Sequence, residues 1–296
     1  MKVTIIGANS YIARNITVMF LQRTDVELYL YDYQAEHFDH RAVYEQINIL
    51  DKKSVEKINL KVDLVFMFVG KTGSLNGFDD YNTFIDINER ALLNLLDEYR
   101  HQESGAKVIF PSTRLVYRGK EGKLPETSEK EAKTIYAANK IACEHYLQMY
   151  HNVYGIQYCI LRICVPYGTQ VPEASSYGTA EFMLNKAKSG EDISLYGNGE
   201  VRRTLTYMED LCNIMIEAGL NANCVNDVYN VGGEDYSLRE MAEQIAKAYD
   251  VGIKYVPWPE SALRIESGNT VFDFTKLENI IGKYKYFSFE DWIGRQ

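Results

Sequence analysis

Short apolar runs recur through the first half of the chain, separated by stretches whose apolar residues fall at helical spacing. KVTIIG reads as a strand and Tyr11 to Gln22 as a helix. VELYLYD and YEQINI follow as strands. VDLVFMFVG is a further strand, apolar nearly throughout, as strands buried on both faces are. A long helix is predicted from about Tyr81 to Arg100, with Ile85, Ala91, Leu92, Leu95, Leu96 and Tyr99 on one face. AKVIFPS is the next strand, a helix runs from about Tyr136 to His151, and IQYCILRI is a strand after it. Strands alternating with helices dictate an α/β fold, a doubly wound parallel sheet covered on both faces.

From about Pro166 the alternation loosens around VPYGTQVPEASSYG. A helix from Thr179 to Lys188 leads to SLYGNGEVRRTLTYMED, then another helix, a short strand VYNVGG, and a helix from Ser237 with Glu240 placed to complete a capping box. The expected organisation is a cofactor domain over residues 1–165 and a smaller α/β substrate lobe over 166–296, with segments near 205–232 returning to the first domain.

Composition narrows the setting. The chain has 296 residues, 46% of them apolar, enough for a sizeable core. A net charge of -9 argues against general affinity for nucleic acid or an anionic membrane. The longest apolar run, Leu64 to Val69, is far too short to span a bilayer, and the N-terminus lacks a signal-peptide layout. Five cysteines, odd in number and without a C-x-x-C pair, fit a reduced cytoplasmic protein. His37 and His40 have no further ligand at metal spacing, so no metal is expected.

Candidate chemistry begins at the first strand–helix junction, GANSYIA. Gly7 supplies the backbone freedom a tight turn needs, Ser10 can offer a hydroxyl to a phosphate, and Ala13 still permits close helix–strand packing. By itself this loop fits a cofactor site and an ordinary turn equally well. Asp32 changes the balance. It ends the second strand 25 residues after Gly7, where a carboxylate accepts hydrogen bonds from an adenosine ribose and repels a 2′-phosphate. No Arg or Lys follows immediately, so NAD is favoured over NADP. Tyr136 and Lys140, four apart, share a helix face, where an ammonium would draw a phenol pKa down from about 10. Ser112 and Thr113, after the strand VIFPS, could hold a substrate oxygen beside Tyr136.

These segments together resemble the extended short-chain dehydrogenase/reductases, the NAD-dependent epimerase/dehydratase branch that acts on nucleotide sugars. IIGANSYIA resembles that branch's glycine loop with two glycines replaced, INILD its adenine segment, FVG its strand end, NERALLNLL its asparagine helix, PSTRLVY its serine/threonine segment and YAANK its Tyr/Lys motif. LRICVPYG, GNGEVRRTLTYMED and YNVGG follow in the same order. The resemblance implies a Rossmann-type cofactor domain. It places Gly7, Asn9, Ser10, Tyr11, Ile12, Asp32, Asn48, Ile49, Phe68, Val69, Gly70, Asn88, Pro111 and Cys164 along NAD. It makes Tyr136 the acid/base, Lys140 its activator and a ligand of the nicotinamide ribose, and Thr113 the holder of the reacting oxygen. Arg203 would contact the nucleotide diphosphate with help from Arg264, and Val165 stands where the family often has a substrate-contacting Asn.

The resemblance also separates branches. The 4,6-dehydratases carry Asp-Glu after the catalytic Thr, where this chain has Arg114 and Leu115; the enzymes that make GDP-fucose need Cys at position 115. Both activities are therefore set aside. A 4-epimerase acting through a 4-keto intermediate is favoured, since Asp32 favours NAD; a nucleotide-sugar 4-ketoreductase and a catalytically silent NAD-binding protein remain as alternatives. A homodimer through two long helices is the expected assembly.

Overall fold

The fold is described from a computed structural model, over residues 1–37, 39–171 and 178–296. Seven parallel strands form the central sheet, in the order Asp227–Asn230, Gln157–Ile163, Lys107–Thr113, Leu64–Met67, Lys2–Ile6, Glu27–Asp32 and Val43–Gln46. The strand order reverses between Lys2–Ile6 and its neighbour Leu64–Met67, which opens a crevice beyond the C-terminal ends of the strands.

Both faces of the sheet are buried, which explains its apolar strands. On one side Ile5, Leu30 and Phe66 pack against Ala13, Ile16 and Phe20 of the Tyr11–Leu21 helix and Leu211, Ile214 and Met215 of the Met208–Leu220 helix. On the other, Ile6, Val65 and Phe110 meet Leu92, Leu95 and Leu96 of the Ala91–His101 helix and Cys143 and Leu147 of the Ile135–Tyr154 helix. The Ile135–Tyr154 helix is fixed at both ends: the Thr134 hydroxyl accepts from Ala137 N at 3.1 Å, and Gly155 takes a left-handed conformation after its last turn. The Ser237–Glu240 capping box forms as the sequence predicts, with Glu240 N donating to Ser237 Oγ at 3.0 Å and Ser237 N to Glu240 Oε2 at 2.7 Å.

The helix predicted from Tyr81 to Arg100 is not continuous. Tyr81–Ile85 and Ala91–His101 are α-helical, and a π turn over Asp86–Arg90 lies between them. Apolar periodicity does not report such a one-residue widening, and this one turns Asn88 inward. Asn88 clamps the backbone beyond the fourth strand, accepting from Lys71 N and donating to Lys71 O, both at 3.0 Å.

Three smaller sheets complete the molecule. Glu234–Ser237, Arg202–Tyr207 and Val165–Tyr167 form one; Ile253–Val256 pairs with Ile193–Tyr196, and Val271–Phe272 with Lys123–Leu124. Their core gathers Met183, Leu184, Leu205, Met241, Ile245, Phe289 and Trp292. Residues 172–177 of the predicted VPYGTQVPEASSYG loop lie outside the described residues. No helix among the described residues is long and apolar enough to cross a membrane.

Candidate active site

Two adjoining cavities run along the C-terminal edge of the sheet. One, of about 430 Å³, is lined by Gly7, Asn9, Ser10, Asp32, Asn48, Ile49, Phe68, Val69 and Gly70. The other, of about 710 Å³, shares Asn9, Ser10, Phe68, Val69 and Gly70 and adds Tyr11, Ile12, Pro111, Thr113, Tyr136, Lys140 and Cys164. Together they make one continuous cleft.

The first turn shows why a reduced glycine motif still builds a loop. Gly7 has φ 81°, and a Cβ there would stand 2.7 Å from Val69 N, so no other residue fits. Gly7 N and Ala8 N both donate to Tyr31 O, at 2.8 and 3.1 Å, tying the turn to the second strand. Ser10 is the N-cap of the first helix, yet its hydroxyl caps nothing and is buried without a partner, as is Asn9 Oδ1. A polar pair held dry at a helix N-terminus matches the needs of a pyrophosphate. Asp32 is buried; its two carboxylate oxygens accept from Asn9 N at 2.9 Å and Gln34 N at 3.2 Å, leaving lone pairs for ribose hydroxyls. Ile47 and Ile49 wall the same end, and Asn94 Nδ2 anchors Ile49 O at 2.9 Å. The residues present thus fit a dinucleotide.

At the other end Thr113, Tyr136 and Lys140 converge. Lys140 is buried, donates to Pro111 O at 2.8 Å, and lies 4.3 Å from the Phe110 ring centroid and 5.9 Å from that of Tyr136. A Cβ on Gly70 would stand 3.2 Å from Asn88 Oδ1 and 3.9 Å from Lys140 Nζ, so glycine keeps this stretch of cleft open. Burial lowers the Lys140 pKa to about 8, partly opposed by Cys143 and Glu144. Burial raises that of Tyr136, and the nearby Thr113 hydroxyl opposes the rise. This corrects the sequence reading, in which the ammonium draws the phenol down: desolvation outweighs the charge here because Lys140 is aimed at a carbonyl and a neighbouring ring.

A buried network missed by the sequence reading braces this group. The Arg162 Nε and Nη2 atoms grip Glu144 at 2.9 and 2.5 Å, and Ser112 Oγ donates to the same carboxylate at 2.6 Å. Arg162 Nη1 donates to Tyr117 OH at 2.7 Å, which in turn donates to Asn230 Oδ1 at 2.7 Å. Ser112 adjoins Thr113, and Glu144 is one helical turn beyond Lys140, so the strand end and the helix are locked together. Two signals for it stood in the sequence: a charged residue inside the apolar run YCILRI, and a carboxylate continuing the Tyr136/Lys140 face.

Four candidates do not line the cleft. Asn88 acts on its wall through Lys71. Val165 is buried in the small sheet, paired with Leu205, between Cys164 and Pro166, which do line it. Arg203 is 3% exposed and internally satisfied: Nη2 pairs with Glu266 Oε1 at 2.6 Å, and Nη1 donates to Arg202 O and Gly268 O at 2.9 and 2.5 Å. Arg264 points to solvent on the Glu260–Ile265 helix, paired with Glu260.

A doubly wound sheet whose crevice is flanked by a Tyr-x-x-x-Lys helix is the architecture of the extended short-chain dehydrogenase/reductases. The chain belongs to the NAD dependent epimerase/dehydratase family, whose model matches residues 3–232. It is 25% identical over 218 residues to a putative UDP-glucose 4-epimerase of Methanocaldococcus jannaschii, covering 72% of this chain and 70% of that one. It is 28% identical over 261 residues to a UDP-N-acetyl-alpha-D-glucosaminuronate decarboxylase of Bacillus cytotoxicus, covering 83% and 79%. In fold it is similar to the UDP-glucose 4-epimerase of Thermotoga maritima, solved with UDP-glucose, at a TM-score of 0.87 and 21% identity over 99% of this chain and 96% of that one.

Proposed function

We propose that this protein is an NAD-dependent nucleotide-sugar 4-epimerase. The observation that carries the reading is the single cleft joining Asp32 and the Ser10 turn to Thr113, Tyr136 and Lys140. Residues near Asp32, Asn48 and Ile49 hold the adenosine, and Ser10 with the first helix N-terminus holds the pyrophosphate. Bound NAD supplies a hydride acceptor, and in its reduced form a donor. Thr113 holds the C4 hydroxyl, and Tyr136 takes its proton as hydride leaves C4, giving a 4-keto sugar. Tyr136 returns a proton when hydride comes back to the opposite face. Lys140 keeps positive charge beside the phenolate while it exists. The three small sheets form the substrate lobe.

A cytoplasmic setting belongs to the same reading: all five cysteines are buried and free. So does a homodimer, in which exposed Tyr81, Ile85, Met149 and Val153 on the two long helical segments become covered.

The test is the NAD-loaded protein with a panel of nucleotide sugars. Conversion to the C4 epimer with no net NADH formed is expected, and Tyr136→Phe should lower turnover at least ~100-fold while NAD affinity is kept. Turnover that consumes added NADH on a 4-keto sugar would instead make the protein a reductase. Absence of both would make it a silent binding protein.

A further inference from the structure

The turn after the first strand keeps Gly7 but has Ser10 and Ala13 where the glycine loop it resembles has two more glycines. Beside that turn stands a cation that the reaction above leaves unused. Arg14 lies one helical turn beyond Ser10, its N–H donating to Ser10 O at 2.9 Å. Long side chains on a helix lean back toward its N-terminus, so the Arg14 side chain covers the turn that Ser10 opens. Arg14 lines the larger cavity together with Asn9, Ser10 and Gln34, and those three also line the adenosine end. It therefore borders the stretch where the two cavities join.

The charge of Arg14 is felt across this joint. It reaches His37, which is buried with its ring centroid 5.4 Å from that of Tyr44, the phenol to which Asn9 Nδ2 donates at 3.4 Å. Burial holds the His37 pKa below its usual value; hydrogen bonds to the backbone of Asp39 and Ala8 oppose the fall, and the charge of Arg14 adds to it. The imidazole is then mostly neutral at pH 7, and the positive charge at this place comes from Arg14.

Position decides which anion it meets. A dinucleotide that runs from Asp32 to Tyr136 carries its negative charge midway, on the pyrophosphate, and midway is where the cavities join. The Ser10 hydroxyl, buried without a partner, and the first helix N-terminus already face that place. A planar guanidinium can give two N–H groups to phosphate oxygens at once. Resting on the reading of the cleft as a dinucleotide site, we infer that Arg14 is a cofactor ligand that grips the NAD pyrophosphate. Its charge stands in for the close backbone approach that Ser10 and Ala13 forgo.

The experiment titrates the full chain, freed of bound nucleotide, with NAD, NADP, adenosine and UDP by calorimetry. Wild type, Arg14→Gln and Arg14→Lys are compared, thermal denaturation reporting whether each variant is folded. Arg14→Gln should weaken NAD at least about 10-fold, the worth of a hydrogen bond between charged groups, and Arg14→Lys should weaken it less. Adenosine, which lacks the pyrophosphate, should bind all three alike, and added salt should weaken NAD less in Arg14→Gln than in the wild type. An equal loss for adenosine would make Arg14 a structural residue. A loss confined to UDP would give it to the substrate diphosphate, and a loss for NADP far larger than for NAD would give it to a 2′-phosphate. Each of these overturns the inference, as does unchanged NAD affinity, while leaving the dinucleotide reading intact. If the wild type binds neither NAD nor NADP, both fail.

Discussion

Replacing Lys140 with Met should stabilise the free protein while disabling it. Lys140 is 5% exposed and makes no ion pair among the described residues. Burial brings its pKa from 10.5 to about 8, which makes its charged form about 3 kcal/mol less favourable in the folded chain than in the unfolded one. Methionine removes that penalty and nearly matches the volume. It forfeits the bond to Pro111 O and the contact with the Phe110 ring, together about 1–2 kcal/mol. A net gain of about 1–2 kcal/mol at pH 7 follows.

The pH dependence is the sharper signature. Because the folded pKa is depressed, the unfolded chain binds more protons between the two values, and wild-type stability rises with pH across about 8 to 10.5. The variant lacks this rise. Its advantage should shrink by about 2 kcal/mol between pH 7 and pH 9.5 and end as a deficit, since the lost contacts then dominate. Urea unfolding of both proteins at the two pH values measures it. A variant less stable than wild type at pH 7, or a difference that does not change with pH, would refute the account of Lys140 as a buried charge whose desolvation outweighs its compensation by Cys143 and Glu144. Activity should fall at the same time, as expected when a charge is kept for catalysis at a cost to the fold.

Two further outcomes test other parts of the site. Arg162→Met leaves the Glu144 carboxylate buried with Ser112 Oγ as its remaining side-chain partner, and should lower unfolding free energy by about 3–5 kcal/mol. The double variant Arg162→Met/Glu144→Leu should recover a large part of that loss in a denaturation cycle; equal losses would mean that the pair is not coupled. Asp32→Ala should weaken NAD at least about 10-fold and weaken NADP less, since it removes a ribose acceptor and a repulsive charge together. Direct titration of both cofactors checks it, and an unchanged ratio would remove Asp32 from cofactor choice.

How much of this was legible in the chain varies with range. The order of elements was, because burial on one or both faces leaves a period in the sequence, as at Leu64–Met67 or along the Ala91–His101 helix. The Tyr136/Lys140 pairing on one face was, because four residues make about one helical turn. The Asp86–Arg90 π turn was not, and Ile85, expected on the apolar face with Ala91 and Leu92, stands exposed just before it. Which partners Arg203 and Arg264 meet could not be read in sequence, where the resemblance gives both to the substrate. In the fold one is closed off by Glu266 and the other projects into water.

The sequence by itself determined the sheet, the cleft-forming turn at Gly7 and the set of groups that meet at Thr113, because each follows from local period, backbone freedom or fixed spacing. Tertiary structure alone decided which charges are spent and which are left over. Whether an arginine or lysine meets a carboxylate depends on residues far away along the chain, such as Glu266 for Arg203 and Glu144 for Arg162. Proton affinities at Tyr136 and Lys140 depend in the same way on how much water the surrounding elements exclude. Local sequence carries spacing; desolvation and the pairing of charges exist only once the chain has closed.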